Sequence, residues 1–202
     1  MAIKINWRIH LIELLTVVIG ITLAFWLNNW NEQRKNIALA QQRLGEIRKE
    51  IKQNKINIDS ALNYHQKLYD QIRSNPEKAV LSIKPANLYV HAWQLSKSAN
   101  LEQFIDYDLI FLLTDIYSDQ EALKHINSEA SNLISSLSVY SAAVNDLLQA
   151  LDHNQSNEKF VEKTHKWKQG WVGVFQDMMY YEKALSKKYT LALEKIDENQ
   201  LN

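Results

Sequence analysis

Apolar positions follow three different registers along the chain, and each register predicts a helix in a different environment. From Leu11 to Leu27 (LIELLTVVIGITLAFWL) the run is apolar, with Glu13 as its one carboxylate. Seventeen residues rising about 1.5 Å each cover about 25 Å, somewhat less than the ~30 Å hydrocarbon layer of a bilayer. Trp7 before the run and Trp26 and Trp30 at its far end extend it, with indole rings suited to the two interfaces. From Ile37 the spacing becomes a seven-residue repeat. Ile37, Leu44, Ile51, Ile58, His65 and Ile72 form one column, with Ala40, Ile47, Asn54, Ala61 and Leu68 three residues behind each turn of it. No breaker interrupts the chain between Trp30 and Pro76. A long stalk helix is therefore predicted, either coiled with another chain or laid against the chain's own later helices.

The distal half returns to three-and-four spacing. Ser74 to Ala86, which holds both prolines, predicts a connection. A short helix is predicted over Ala86–Lys97 with Leu88, Ala92, Trp93 and Leu95 inward. Asn100 is a candidate N-cap for a helix carrying Phe104, Ile105, Tyr107, Leu109, Leu112, Leu113, Ile116 and Tyr117. Ser118 is a candidate start of another, with Leu123, Ile126, Ala130, Leu133, Leu137, Tyr140, Val144, Leu147 and Leu151. After Asp152–Asn157 a last helix carries Phe160, Trp167, Trp171, Val174, Met178, Leu185, Tyr189, Ala192 and Ile196. No stretch alternates with strand composition for long enough to compete. The fold class expected is all-α: a single transmembrane helix runs into a long, coiled-coil-like stalk, followed by an antiparallel helical bundle. The divisions are 1–10, a short basic segment; 11–30, the span; 31–75, the stalk; 76–87, the connection; and 88–198, the bundle.

On a helical wheel Glu13, Thr16, Gly20, Ala24 and Asn28 fall within an arc of about 120°. Helices in lipid gain little from burying apolar surface against each other, so small residues that let backbones approach favour association. Thr16, Gly20, Ala24 and Asn28 are accordingly the candidate association face. Glu13 has two readings: a side chain coupled to an ion path, or an acid near enough to the interface to reach water or headgroups. Asn54 in the seam is a candidate register-fixing residue, and His65 is either tolerated there or makes the packing sensitive to protonation. The heptad column extended backwards meets the small-residue face only at Thr16, so the helix is expected to change partner between Leu27 and Ile37.

Composition narrows the chemistry. Four glycines and two prolines in 202 residues leave few turn residues, which again favours long helices. Lys and Arg balance Asp and Glu at 23 each, so no cationic excess is available to displace phosphate counterions, and nucleic acid is not expected as a partner. The absence of cysteine removes thiolate metal sites, disulfides and thiol nucleophiles. A single Glu162-Lys163-Thr164-His165 gives the Glu-x-x-His pattern of di-iron bundles, which need it twice. The acidic cluster Glu102, Asp106, Asp108 and Asp115 lacks the glycine of a calcium loop. No phosphate loop or GxSxG is present. No metal, no cofactor and no catalytic residue are therefore expected, nor is the chain expected to be an enzyme.

A secretory signal peptide shares the basic start Met1–Arg8 and a loose cleavage-like Thr22-Leu23-Ala24. Trp26, where a polar mature start belongs, favours an uncleaved anchor. Lys4 and Arg8 nearly balance Arg34, Lys35 and Arg43 across the span. A short basic N-terminus before a first hydrophobic segment is expected to stay cytoplasmic, which places the C-terminal bulk in the periplasm beyond the inner membrane.

Two stretches resemble a family of uncharacterised bacterial single-span membrane proteins. One is Glu13 followed by Val18-Ile19-Gly20-Ile21, Ala24, Asn28-Asn29-Trp30-Asn31-Glu32 and Arg34-Lys35; the other is Ala92-Trp93, Ser98, Leu101 and Leu109 to Tyr117-Ser118. The chain departs from that pattern at Ala99-Asn100, where relatives carry a glycine after the serine. The resemblance implies a membrane-anchored helical protein and supplies no activity. The function expected is a non-enzymatic structural or accessory protein in membrane lipid, as a homo-oligomer or as a subunit of a larger membrane complex. The alternatives are an ion- or proton-conducting or force-coupling subunit using Glu13, and a helical ligand sensor.

Overall fold

The computed structural model describes residues 7–75, 79–97, 101–150 and 154–200, with every side chain among them except those of residues 8, 9, 137–150, 154–165, 167 and 200. Helix α1 runs unbroken through Trp7–Ser74, 68 residues or about 100 Å of rod. An irregular segment over residues 79–90 leads into α2, His91–Lys97, and a 3-10 turn, Leu101–Gln103. Two further long helices follow, α3 over Tyr107–Ala150 and α4 over Asn154–Gln200. The fold is all-α, and no strand occurs among the described residues.

The heptad pattern explains how α1 is used. Ala40, Leu44, Ile47, Ile51, Ile58, Ala61, Leu68 and Ile72 are all buried, and what covers them is the chain's own later helices. The opposing surface is α4, whose Trp171, Phe175, Met178, Leu185, Tyr189, Ala192 and Ile196 are also buried. Polar pairs fix the register. Arg48 meets Asp197, Asp59 meets Ser186, His65 meets Glu182 and Tyr69 meets Gln176, so α1 and α4 run antiparallel. Helix α3 packs antiparallel on α4, with Lys188 between Asp115 and Asp119 at 2.6 Å from each. Burial pulls the Lys188 pKa down, but the two carboxylates outweigh it and hold the ammonium above its ordinary value. Trp93 of α2 stacks on Tyr117 of α3, centroids 5.2 Å apart, and closes the part of the core beside Glu50.

Several elements differ from those the sequence predicts. The short helix begins at His91, not Ala86, and Leu95 is 52% exposed. The single helix α3 replaces the two predicted around Ser118: that serine is exposed, and neither Gly nor Pro lies near it to stop the helix. Helix α3 also starts six residues later than Leu101, capped at Asp106, whose carbonyl accepts the N–H of Ile110 and whose Oδ1 accepts the backbone N–H of Asp108 at 3.4 Å. Tyr107, Leu133 and Val174 face solvent, whereas Phe175 and Met179 are buried. Asn100, Pro76 and Leu151 lie outside the described residues, as do the side chains of Leu137, Tyr140, Val144, Leu147, Phe160 and Trp167.

The Arg48–Asp197 pair pins the end of α4 to α1, with Arg48 donating from Nε and Nη2 at 2.6 and 3.1 Å. The guanidinium holds the Asp197 carboxyl below its ordinary value of 3.8. A depressed carboxyl stabilises the fold above the unfolded-state pKa and loses that contribution as pH falls through the folded-state one. The stability difference between the natural protein and Arg48→Met should therefore be constant near neutrality and vanish on acidification below that value, as followed by urea unfolding at a series of pH values.

Candidate functional site

Two regions hold the residues singled out by sequence: the exposed N-terminal half of α1 and the polar positions of its buried half. The described side chains of α1 before Ala40 are all exposed, including Leu14, Val18, Ile21, Phe25 and Leu27. Within His10–Ser74 an 18-residue window reaches a mean hydropathy of 2.0, long and apolar enough to cross a membrane, and none of that window is buried in the protein. Trp26 and Trp30 stack at 6.5 Å, and the Arg34 guanidinium lies over Trp30 at 5.0 Å. This ladder gives the far end of the run an amphipathic edge, as aromatic and cationic residues do at a bilayer surface.

Glu13 Oε2 lies 3.2 Å from His10 Nδ1, one turn earlier in the helix, so the carboxylate has a partner within its own segment. Thr16 Oγ1 donates to the Ile12 carbonyl at 2.8 Å, and Thr22 Oγ1 does the same to Val18. The Thr16 hydroxyl proton is thus used inside the helix, and what it can offer a neighbour is an acceptor oxygen. Gly20, Ala24 and Asn28 are exposed on the same face, and a Cβ built on Gly20 meets no atom within 4 Å.

In the seam, Leu44, Ile47, Ile51, Ile58 and Ile72 are buried within the bundle, whereas Ile37 is 46% exposed and burial starts at Ala40. The remaining seam residues, Asn54 and His65, are fully buried and hydrogen-bonded. Asn54 Nδ2 donates to the Tyr89 carbonyl at 2.7 Å while its Oδ1 accepts the Tyr89 N–H at 2.8 Å. Asn57 Nδ2 donates to the Asn87 carbonyl, and the Lys84 N–H donates to His65 Nε2 at 3.2 Å. The chain before α2 therefore lies along α1, with side chains in place of a helical ladder. This is why residues 86–90 are not helical: the peptide groups of Asn87 and Tyr89 are engaged with α1 side chains and are lost to a helical ladder.

The same contact fixes the state of His65. A backbone N–H can only donate, so Nε2 carries no proton and the ring is neutral, with its hydrogen on Nδ1. That Nδ1–H donates to Glu182 Oε1 at 2.8 Å, with both side chains fully buried and Phe175 tilted against the ring. One imidazole thereby joins α1, α4 and the extended segment. Glu182 Oε2 has no partner among the described residues. Glu50 is a second junction: Oε1 accepts the Tyr117 hydroxyl at 2.7 Å and Oε2 accepts the Ala92 N–H at 2.9 Å. Burial, then donation to Glu50, pushes the Tyr117 hydroxyl far above its ordinary pKa.

Sequence reasoning missed Glu50, Tyr117 and Glu182 in these roles. For Glu182 a signal existed: it stands at helical spacing between Met178 and Leu185, a carboxylate inside an apolar stripe. Tyr180 and Tyr181 are exposed and line neither of the cavities found. Among the described residues no group of three or more His, Asp or Glu side chains is placed to hold a metal ion.

No protein-family profile matches the chain, and no curated protein or solved structure matches it either.

Replacing Asn54 by Leu leaves both peptide groups of Tyr89 unpaired and should cost about 1–3 kcal/mol of stability, with faster amide exchange across 84–90. Glu182→Gln keeps an acceptor for His65 Nδ1–H and should stay within about 1 kcal/mol of the natural protein, while Glu182→Leu orphans that donor and should lose about 1–3 kcal/mol. Equal effects of the two Glu182 variants in chemical unfolding would contradict the assigned hydrogen bond.

Proposed function

We propose that this chain is a non-enzymatic, membrane-anchored structural or accessory protein that oligomerises, or joins a larger membrane complex, through its span and the bare part of its stalk. The observation that carries the reading is the division of α1. Its second half is the spine of a bundle, and its first half, in the same unbroken helix, is apolar and without a partner. Exposed leucines, isoleucines and indoles over that length are costly in water and stable in lipid.

Trp7 to Trp30 is 24 residues, about 35 Å of helix, enough to place both indole positions at the surfaces of a ~30 Å hydrocarbon layer. Past Trp30, residues 31–39 hold the bundle off the membrane as a lone exposed helix. Because α1 has no break, displacement of the bundle tilts the span, a geometry suited to fixed spacing within an assembly. The basic N-terminus lies in the cytoplasm and the bundle in the periplasm of an inner membrane. The chain belongs with the bacterial single-span proteins it resembles.

Association runs along Thr16, Gly20, Ala24 and Asn28. Since nothing in the protomer lies near a Cβ at Gly20, Gly20→Leu should leave the bundle intact but reduce the mass of the particle extracted in mild detergent. An unchanged mass would refute association through this face, and release of the protein by alkaline carbonate would refute the anchor. Glu13→Gln should leave both assembly and proton flux unaltered; flux that the variant abolishes would move the conclusion to an ion- or proton-conducting subunit.

A further inference from the structure

His65 ties α1, α4 and the extended segment together through both ring nitrogens, and its side chain has no exposed surface. Its two contacts respond oppositely to an added proton. Nε2 accepts the Lys84 N–H at 3.2 Å, a contact that exists only while Nε2 is bare. Nδ1–H donates to Glu182 Oε1 at 2.8 Å, a contact that strengthens when the ring is charged. A proton on Nε2 therefore sets two donors face to face on the side of the segment and makes a charge-assisted bond on the side of α4.

The surroundings direct a proton to the ring. Glu182 Oε2 is buried without a partner among the described residues, so a proton placed there has no acceptor to point at. A proton on the imidazole instead turns a buried carboxylate beside a neutral ring into a closed ion pair. The other titratable and charged groups around the pair are engaged elsewhere. On the segment, the Lys84 ammonium lies 3.2 Å from Ser60 Oγ and 6.0 Å over the Tyr64 ring. On α1, Tyr64 meets the imidazole edge-on with its hydroxyl bonded to Ser82, and Lys55 pairs with Asp59. Helix α4 sets the apolar Phe175 beside the ring, and on α3 His125 and Glu129 pair with each other on the exposed side. Among the described residues the Lys84 N–H has no other acceptor, so once displaced it must reach water. The ties of Tyr64 to Ser82 and of Asn57 to Asn87 bound the stretch that can open, residues 83–86, in which Lys84 and Pro85 are already exposed.

We propose that His65 is a proton-operated latch: protonation of Nε2 releases residues 83–86 from α1, while the contact with Glu182, now an ion pair, keeps α1 and α4 together. The closed contact needs a bare Nε2, so it is complete at high pH and lost as pH falls through the range in which the pair takes up its proton. One proton changes the closed-to-open ratio by at most about tenfold per pH unit. The bundle stays folded through the change, because the tie that joins its two long helices is the one that gains.

The test is hydrogen exchange at the Lys84 amide, read by NMR on the full-length protein in a non-ionic detergent from about pH 8 to about pH 4.5. Protection relative to the free-chain rate at each pH should fall on acidification by up to about tenfold per pH unit. The Tyr89 amide, held by the uncharged Asn54, should keep its protection. In His65→Gln, whose amide can accept from Lys84 and donate to Glu182 without taking up a proton, the slope at Lys84 should vanish. Glu182→Gln removes the negative charge beside the ring and should move the fall to lower pH. Protection at Lys84 that is constant across the range overturns the proposal. So does a fall shared equally by Tyr89, a slope that survives in His65→Gln, or a fall in Glu182→Gln that stays in place or moves to higher pH.

Discussion

Burial of one face of α1 from Ala40 to Ile72 is the interaction on which the rest of the fold depends. Each fully buried isoleucine or leucine there contributes about 1.5–3 kcal/mol, and the face is long enough to seat nearly the whole described buried face of α4. Helix α3 then packs chiefly on α4, so α1 sets the axis of the bundle without enclosing it. The same helix continues past the bundle with no partner among the described residues, which makes the exposed apolar half an extension of the core's own spine.

Polar groups inside that seam had to be matched, because an orphaned buried amide or imidazole costs about 1–3 kcal/mol, comparable to the gain from an apolar neighbour. Asn54 and His65 solve this by holding the extended segment, which as a lone chain has no ladder to complete its own peptide groups. Each solves the other's problem. The seam's polar residues find partners, and the described segment over residues 79–90 finds a fixed path back along α1 towards α2. Glu50 adds the third tie, joining α1 to the N-terminus of α2 and to Tyr117 of α3.

Depth along the rod organises the functional picture. The described side chains of α1 before Ala40 are exposed, residues 31–39 among them over about 14 Å of helix, and only beyond them does α4 close on α1. Along the bundle, α2 and the Trp93–Tyr117 stack lie beside Glu50, and the Lys168 to Ala79 contact lies beyond the C-terminal end of α1.

The sequence by itself determined the helical class, the apolar run and the register of the seam, because these are properties of periodicity and need no knowledge of what lies opposite. The heptad column from Leu44 to Ile72 could be read residue by residue, but its partner could not: the same stripe suits a second chain or the chain's own α4. Tertiary structure decided that, and with it the helix boundaries. Ala86 to Val90 reads in the sequence as the first turns of a helix, and only the amides of Asn54 and Asn57 across the gap make extension preferable to another turn of α2. Glu182 was legible as a carboxylate in an apolar stripe, and His65 as an imidazole in another. That each answers the other follows from the antiparallel register of α1 and α4, which is set by the summed packing of two long faces and by no local feature of either.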